Sequence, residues 1–533
     1  MKAHKRILLL FLVGFVSLLV ACGSTGNTNK DAISKDALDN LNESEFPIVN
    51  ETIELDMFTQ KYDANVNVDW NDLLVWNAYE DKTNIELNWT EQVTADSLEE
   101  KRNLAIGAGN MPDVFYAAQF PNSDVLKYGE QGVFLKLNDL IDDYAPNLKA
   151  LMEEDPSIEK GLTFPDGNIY SLPGIQDYDF LSIRLGARPW IDEEWLERLD
   201  MDLPETTDEL YDFLTAVKEE DDEMAPYGGP NMDNLIDWLR GAYGLSNTGN
   251  KSVDIDPNEE ESLRFIATSD EYRDMLEFVH RLYDEELIEQ NIFSIEWNQY
   301  LANAGEGKYA STMFYDPKTT IGGKGEDFVS MSALKGPNGD QLYTNVSPPL
   351  FDIGQFIITD QNPNPAATMR WVDYFYSDEG SKLIYMGVEG ESYVEKDGKL
   401  QYVDDIENAN NRDQAMAEYV PWLGIGPPGI VTEDVFDGSE TTNESLEAAE
   451  KIEPFVPEDI WSDFTYTKDE NKFMNSTGSD IDKYVKEMRD KFISGDETLD
   501  DDAWDKYIST IQSMGLEEYM DVQEDAFERY QEQ

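Results

Sequence analysis

Between Thr52 and Ala117 the chain reads strand, helix, strand, helix, strand, and that alternation limits its architecture more than any other feature. Residues 52–58 predict a strand, 71–81 a helix, and 85–89 a strand in which Ile85, Leu87 and Trp89 alternate. Residues 97–108 return to the helical period, with Leu98, Leu104 and Ala105 on the apolar side. After Gly107, Gly109 and Pro112-Asp113 a short strand follows at 114–117. Strands separated by helices pair in parallel through right-handed crossovers. Ligands of such sheets bind outside the carboxyl ends of the strands, which fall here near Thr59-Gln60 and residues 116–122.

A second set extends the pattern. Residues 167–173 predict a turn entering a strand, and 180–185 a further strand. Pro189 suits the first turn of a helix carrying Trp195, Leu196 and Leu199. Thr206 and Glu209 have capping-box spacing and open a helix with Leu210, Phe213, Leu214 and Val217 on one face. Residues 366–376 are helical, Ser377 restarts a helix to Tyr385, and Asp397-Gly398 marks a hairpin. The end of the chain is helical, with stripes stopped by Gly495 and Gly515.

The 533 residues hold 111 acidic against 40 basic groups, a formal net charge of −71. Phosphates would be repelled at long range, which argues against nucleic acid as a partner. Aromatic residues make up 12% and apolar residues 40%, so the acid belongs to a folded surface. Self-repulsion on this scale needs screening, and a saline or alkaline habitat is expected. Of two histidines, His4 lies in the leader and His280 on a helical stripe with Met275, Phe278, Val279 and Leu282. No His/Cys cluster exists for zinc, and Ser-His-Asp or Cys-His catalysis lacks its parts. No catalytic residue and no cofactor are therefore assigned. The spacing of Asp254, Asp256, Asn258 and Glu260 suggests calcium, although Pro257 interrupts it and no glycine makes the turn.

Cys22, the only cysteine, ends a basic-then-apolar leader: Lys2, Lys5 and Arg6, an apolar run over 7–20, then Ala21-Cys22-Gly23. This is an export signal, too short for a membrane span of roughly 20 residues. It looks like a bacterial lipobox, in which the thiol takes a lipid (a diacylglycerol with palmitate-type chains). The expected organisation is a signal peptide at 1–21, a lipid-anchored flexible tether at 22–50, and a folded region at 51–533. The lipid, not protein charge, would hold the membrane.

Several segments together resemble the family 1 extracellular solute-binding proteins, in the large lipoprotein branch serving carbohydrate ABC importers. Residues 105–114 (AIGAGNMPDV) resemble the small-residue turn ending in Pro-Asp, and 166–173 (DGNIYSLP) the family's "DGKIYGLP". Residues 188–191 and 203–210 resemble "R-x-DWL … P-x-T-x-DEL", and 377–393 resemble "SxEG … YGxEGxxW". Residues 491–519 are similar to the family's ending. Trp190-Ile191 stands where Asp-Trp is usual, and Tyr393 where the family has tryptophan.

The resemblance implies an α/β, two-lobe periplasmic-binding-protein-like fold with a ligand cleft between lobes and a helical C-terminus. Lobe 1 would comprise about 51–165 plus part of 340–430, and lobe 2 the remainder. It also implies an extracytoplasmic, monomeric protein that carries an oligosaccharide to ABC permease subunits. Sugars need aromatic faces and polar side chains. The candidates are Trp297, Trp422, Tyr116, Gln119, Tyr393 and Tyr315, each competing with core or hinge packing, together with Arg184 (and Arg188 beside it) for an acidic sugar. Trp238 and Trp504 read as core. Two further functions stay open: a secreted glycoside hydrolase, which needs only two carboxylates flanking a cleft, and a ligand receptor for a sensor kinase.

Overall fold

A computed structural model describes residues 33–42, 44–109, 111–257, 262–396, 398–421, 423–424 and 426–532. Cys22 and the leader, together with Trp422, Asn258 and Glu260, lie outside the described residues.

The expected strand–helix alternation builds a six-stranded sheet. Its order is Gly429–Val431, Leu172–Gln176, Leu350–Ile358, Val114–Tyr116, Ile53–Lys61 and Ile85–Thr94. Ile53–Lys61 pairs in parallel with both Ile85–Thr94 and Val114–Tyr116. Leu350–Ile358 runs against its two neighbours. The carboxyl ends of the other five strands and the start of Leu350–Ile358 therefore share one edge. A second, four-stranded sheet has the order Phe328–Ser330, Arg188–Asp192, Tyr309–Phe314, Ala225–Tyr227.

Each sheet has its own core. One gathers buried residues between Ile48 and Ile183 and again between Leu350 and Phe436. The other gathers those between Leu185 and Val346 and again from Ala449 to Phe527. The chain thus crosses between cores three times, at 183–185, 346–350 and 436–449. All three crossings leave the shared edge of the six-stranded sheet. The C-terminal helices Ser479–Ser494, Asp501–Met514 and Leu516–Glu532 pack on the second core, and left-handed Gly495 and Gly515 end the first two. His280 joins that packing, its Nδ1 lying 3.0 Å from the carbonyl of Ile493.

Some expectations change. Residues 166–183 belong to the first core, so that lobe runs past 165. Part of the expected tether is folded: Lys35–Asn40 is a helix, and Ile48 and Val49 are buried. Residues 181–185 are a helix, not a strand. Pro189 lies in strand Arg188–Asp192, and the helix carrying Trp195 starts at Glu193. Leu104 is 62% exposed, because its helix turns Leu98 and Arg102 inward instead. Trp238 and Trp504 are core residues.

Candidate functional site: a groove between the lobes

At the shared sheet edge the backbone is held in an uncommon conformation. Ala117, Gln119 and Asp352 all have positive φ, of 48°, 48° and 41°. Non-glycine residues adopt this region at a cost, and such strain gathers where function needs it. Two loops are zipped together here. Ala117 N donates to the carbonyl of Gln355 at 2.6 Å, and Phe120 N to that of Gly354 at 3.4 Å. Arg102 braces them from below, its Nη1 donating to the carbonyls of Ala118 and Gln119.

Polar side chains collect on this platform. Gln119 Nε2 donates to Tyr62 Oη at 3.1 Å. Asp352 accepts from Gly354 N at 3.2 Å and from Gln355 Nε2 at 2.6 Å. A Cβ on Gly426 would stand 3.3 Å from Tyr62 Oη, so glycine there lets a loop approach the hydroxyl closely. Burial raises the Asp352 carboxyl, helped by the charge of Asp463 and opposed by Arg102. Asp463 belongs to the segment that follows the third crossing, and desolvation raises it too, although its side chain still reaches solvent.

Asp463 lines a groove of about 600 Å³ between the lobes. Pro121, Asn122 and Ser123 form the wall on the first lobe, and residues 249–252 with Trp461 form that on the second. On the second lobe, an aromatic ledge stands beside the first crossing. Trp297 (43% exposed) and Tyr315 (38%) flank Phe314, with ring centroids 4.8 and 4.9 Å from it. Tyr315 adjoins Gly186, whose positive φ opens the crossing.

The expected site residues therefore separate. Gln119, Trp297 and Tyr315 present polar or aromatic surface. Tyr116 does not: it is fully buried against Trp70, Trp76, Trp89 and Trp371, because its short strand is covered on both faces. Tyr393 is buried at the base of the hairpin formed by Tyr393–Lys396 and Lys399–Tyr402.

Arg184 is a hinge brace. Its Nε donates to Ser347 O at 2.9 Å and its Nη1 to Tyr178 O at 3.2 Å, tying the first crossing to the second. Arg188 donates to Ser182 O and Oγ, while Ser182 Oγ donates to Glu440 O at 2.5 Å and ties in the third. Both arginines meet backbone or hydroxyl oxygens here.

At the suspected calcium loop, both oxygens of Asp254 accept from Arg264, at 2.7 and 3.1 Å. Arg264 thus pairs with one of the four expected ligands, while Asn258 and Glu260 lie outside the described residues. Among the described residues no group of three or more acidic, His or Cys side chains is arranged to hold a metal. Sequence reasoning missed Tyr62, Asp352, Gln355 and Asp463. The available signal was Gly354 inside a strand pattern, which marks a bulge or a close backbone approach.

The family model for bacterial extracellular solute-binding proteins matches residues 68–382. The fructooligosaccharide ABC transporter substrate-binding protein FusA of Streptococcus pneumoniae is 26% identical over 466 residues, 80% of this chain and 82% of that protein. FusA in complex with kestose has the same fold, with a TM-score of 0.71 at 23% identity over 90% of this chain and 99% of its own. The alginate-binding protein AlgQ2 without calcium ion gives 0.69 at 22% identity, with the same coverage. The chain belongs to the bacterial extracellular solute-binding proteins.

Proposed function

We propose that this protein captures an oligosaccharide in the groove between its lobes and passes it, unaltered, to the permease of an ABC importer. The observation that carries this reading is a groove lined by both lobes, with one candidate sugar-binding surface on each lobe. Strained, braced polar loops (Gln119, Asp352, Gln355 with Tyr62) lie on one lobe, and the Trp297–Phe314–Tyr315 ledge on the other. Polar groups fixed before binding meet sugar hydroxyls without paying to be ordered, and aromatic faces take the C–H patches. Three crossings tied by Ser182, Arg184 and Arg188 make a hinge about which the lobes can close. FusA, by its name, binds fructooligosaccharides, which supports the ligand class.

A thermal-shift screen over plant, algal and host oligosaccharides tests the reading, because a ligand of the folded state raises the melting point by mass action. No shift with any sugar would contradict it. A hydrolase would have to draw its carboxylates from the platform and the groove wall, Asp352, Asp463 and Asp482. Both oxygens of Asp352 are already engaged by Gly354 and Gln355.

The export signal and Cys22 support a lipid-anchored, extracytoplasmic protein. No helix among the described residues is long and apolar enough to cross a membrane. Metabolic labelling with a palmitate analogue should mark the chain, and Cys22→Ser should abolish the label; unchanged label would overturn the anchor.

A further inference from the structure

We propose that the groove selects by charge, taking uncharged oligosaccharides and rejecting those that carry uronate or sialate carboxylates. The inference rests on the carbohydrate reading above and narrows it.

The first observation is the kind of hydrogen-bonding group on offer. Asp352 on one lobe is a carboxylate raised chiefly by burial, with a small further push from the charge of Asp463 on the other. Gln355, 1% exposed, has spent its amide nitrogen on Asp352, and its Oε1 accepts no hydrogen bond among the described residues. Asp482, on the groove wall of the second lobe, accepts at 3.4 Å from Tyr519 Oη. The groove wall thus sets two carboxylates, Asp463 and Asp482, among Asn, Ser and Gln side chains that both donate and accept. A sugar hydroxyl both donates and accepts; a carboxylate can only accept.

The second observation is where the cations go. Arg102 turns Nη1 to the carbonyls of Ala118 and Gln119 and lies over the Phe120 ring at 4.8 Å. Arg184 and Arg188 are buried at the crossings, where Arg188 bonds Ser182 through Nη2 and keeps Nε and Nη1 without a partner among the described residues. Lys251, the basic residue on the groove wall, ion-pairs with Asp237 at 2.5 Å. An anionic sugar would thus enter beside Asp463 and Asp482, with the Lys251 ammonium on that wall already paired. Like charges brought together in a partly desolvated site oppose binding strongly. FusA and AlgQ2 show that the question is real: kestose is uncharged, whereas alginate is a polyuronate.

Calorimetric titration of the protein with matched ligand pairs tests this. Suitable pairs are xylo-oligosaccharides with and without glucuronate branches, and oligogalacturonates against their methyl esters. Wherever an uncharged member binds, its uronate counterpart should bind at least a hundredfold more weakly. The double variant Asp352→Asn/Asp463→Asn should narrow that ratio below tenfold. If the variant does not fold, the wild-type ratio alone decides. A uronate sugar binding as tightly as its uncharged partner overturns the inference and leaves the carbohydrate reading standing. Failure of these pairs and of fructo-, manno- and galacto-oligosaccharides alike removes that reading, and this inference with it.

Discussion

Asp373 shows how a single buried carboxylate can serve the fold in spite of its charge. It accepts from Asn147 N at 3.2 Å, Asn147 Nδ2 at 2.8 Å and Leu148 N at 2.9 Å, capping helix Pro146–Glu154 from more than two hundred residues away. Burial nevertheless pushes its carboxyl up to about 6 from 3.8, the hydrogen bonds opposing only in part. The folded state then holds the proton more tightly than the unfolded state. Its favourable contribution is complete below about 3.8 and is lost as pH rises to about 6. A shift of this size corresponds to roughly 3 kcal/mol. The melting point of the wild type relative to Asp373→Asn should therefore fall between pH 4 and 6 and level off above; a constant difference would contradict this. Trp297 carries the other prediction at this scale. Its half-exposed ring rests on Phe314, so Trp297→Ala should weaken sugar binding about tenfold, near 1.4 kcal/mol, with little loss of stability. Unchanged affinity for a confirmed ligand would remove Trp297 from the site.

Elements with clear periodicity and caps were legible in the sequence. The parallel strands Ile53–Lys61, Ile85–Thr94 and Val114–Tyr116, the Thr206–Glu209 capping box and the glycine-stopped C-terminal helices all follow from local rules. The failures have physical causes. An apolar run as short as 180–185 fits strand or helix equally, and tertiary packing decides. Pro189 sits in a strand because its carbonyl accepts from Met331 N just past the short strand Phe328–Ser330, so the missing N–H faces no ladder partner. The polar platform was hidden because it joins residues near 60, 119, 352 and 463, which no local pattern connects. Two variants separate site from scaffold. A Cβ at Gly354 would stand 2.3 Å from the Phe120 carbonyl, so Gly354→Ala should pry the zipped loops apart and weaken binding at least tenfold. Thr206→Ala, which removes a helix cap on the second lobe, should cost about 1 kcal/mol of stability and leave affinity unchanged. The opposite pattern in titrations and melts would misplace the site.

For the whole molecule, charge and hinge dominate. A net charge of −71 repels itself within one compact body. Added salt should raise the melting point steeply from low concentration, as screening shortens to about 10 Å at 0.1 M; a fall would contradict this. The proposed function needs two separately cored lobes to close about three tied crossings and then to release what they held. Mass spectrometry of the sugar recovered from the purified complex tests that most directly. The account predicts an oligosaccharide of the same mass as the one supplied, in amounts near one per protein. Shortened fragments that accumulate with time would contradict it.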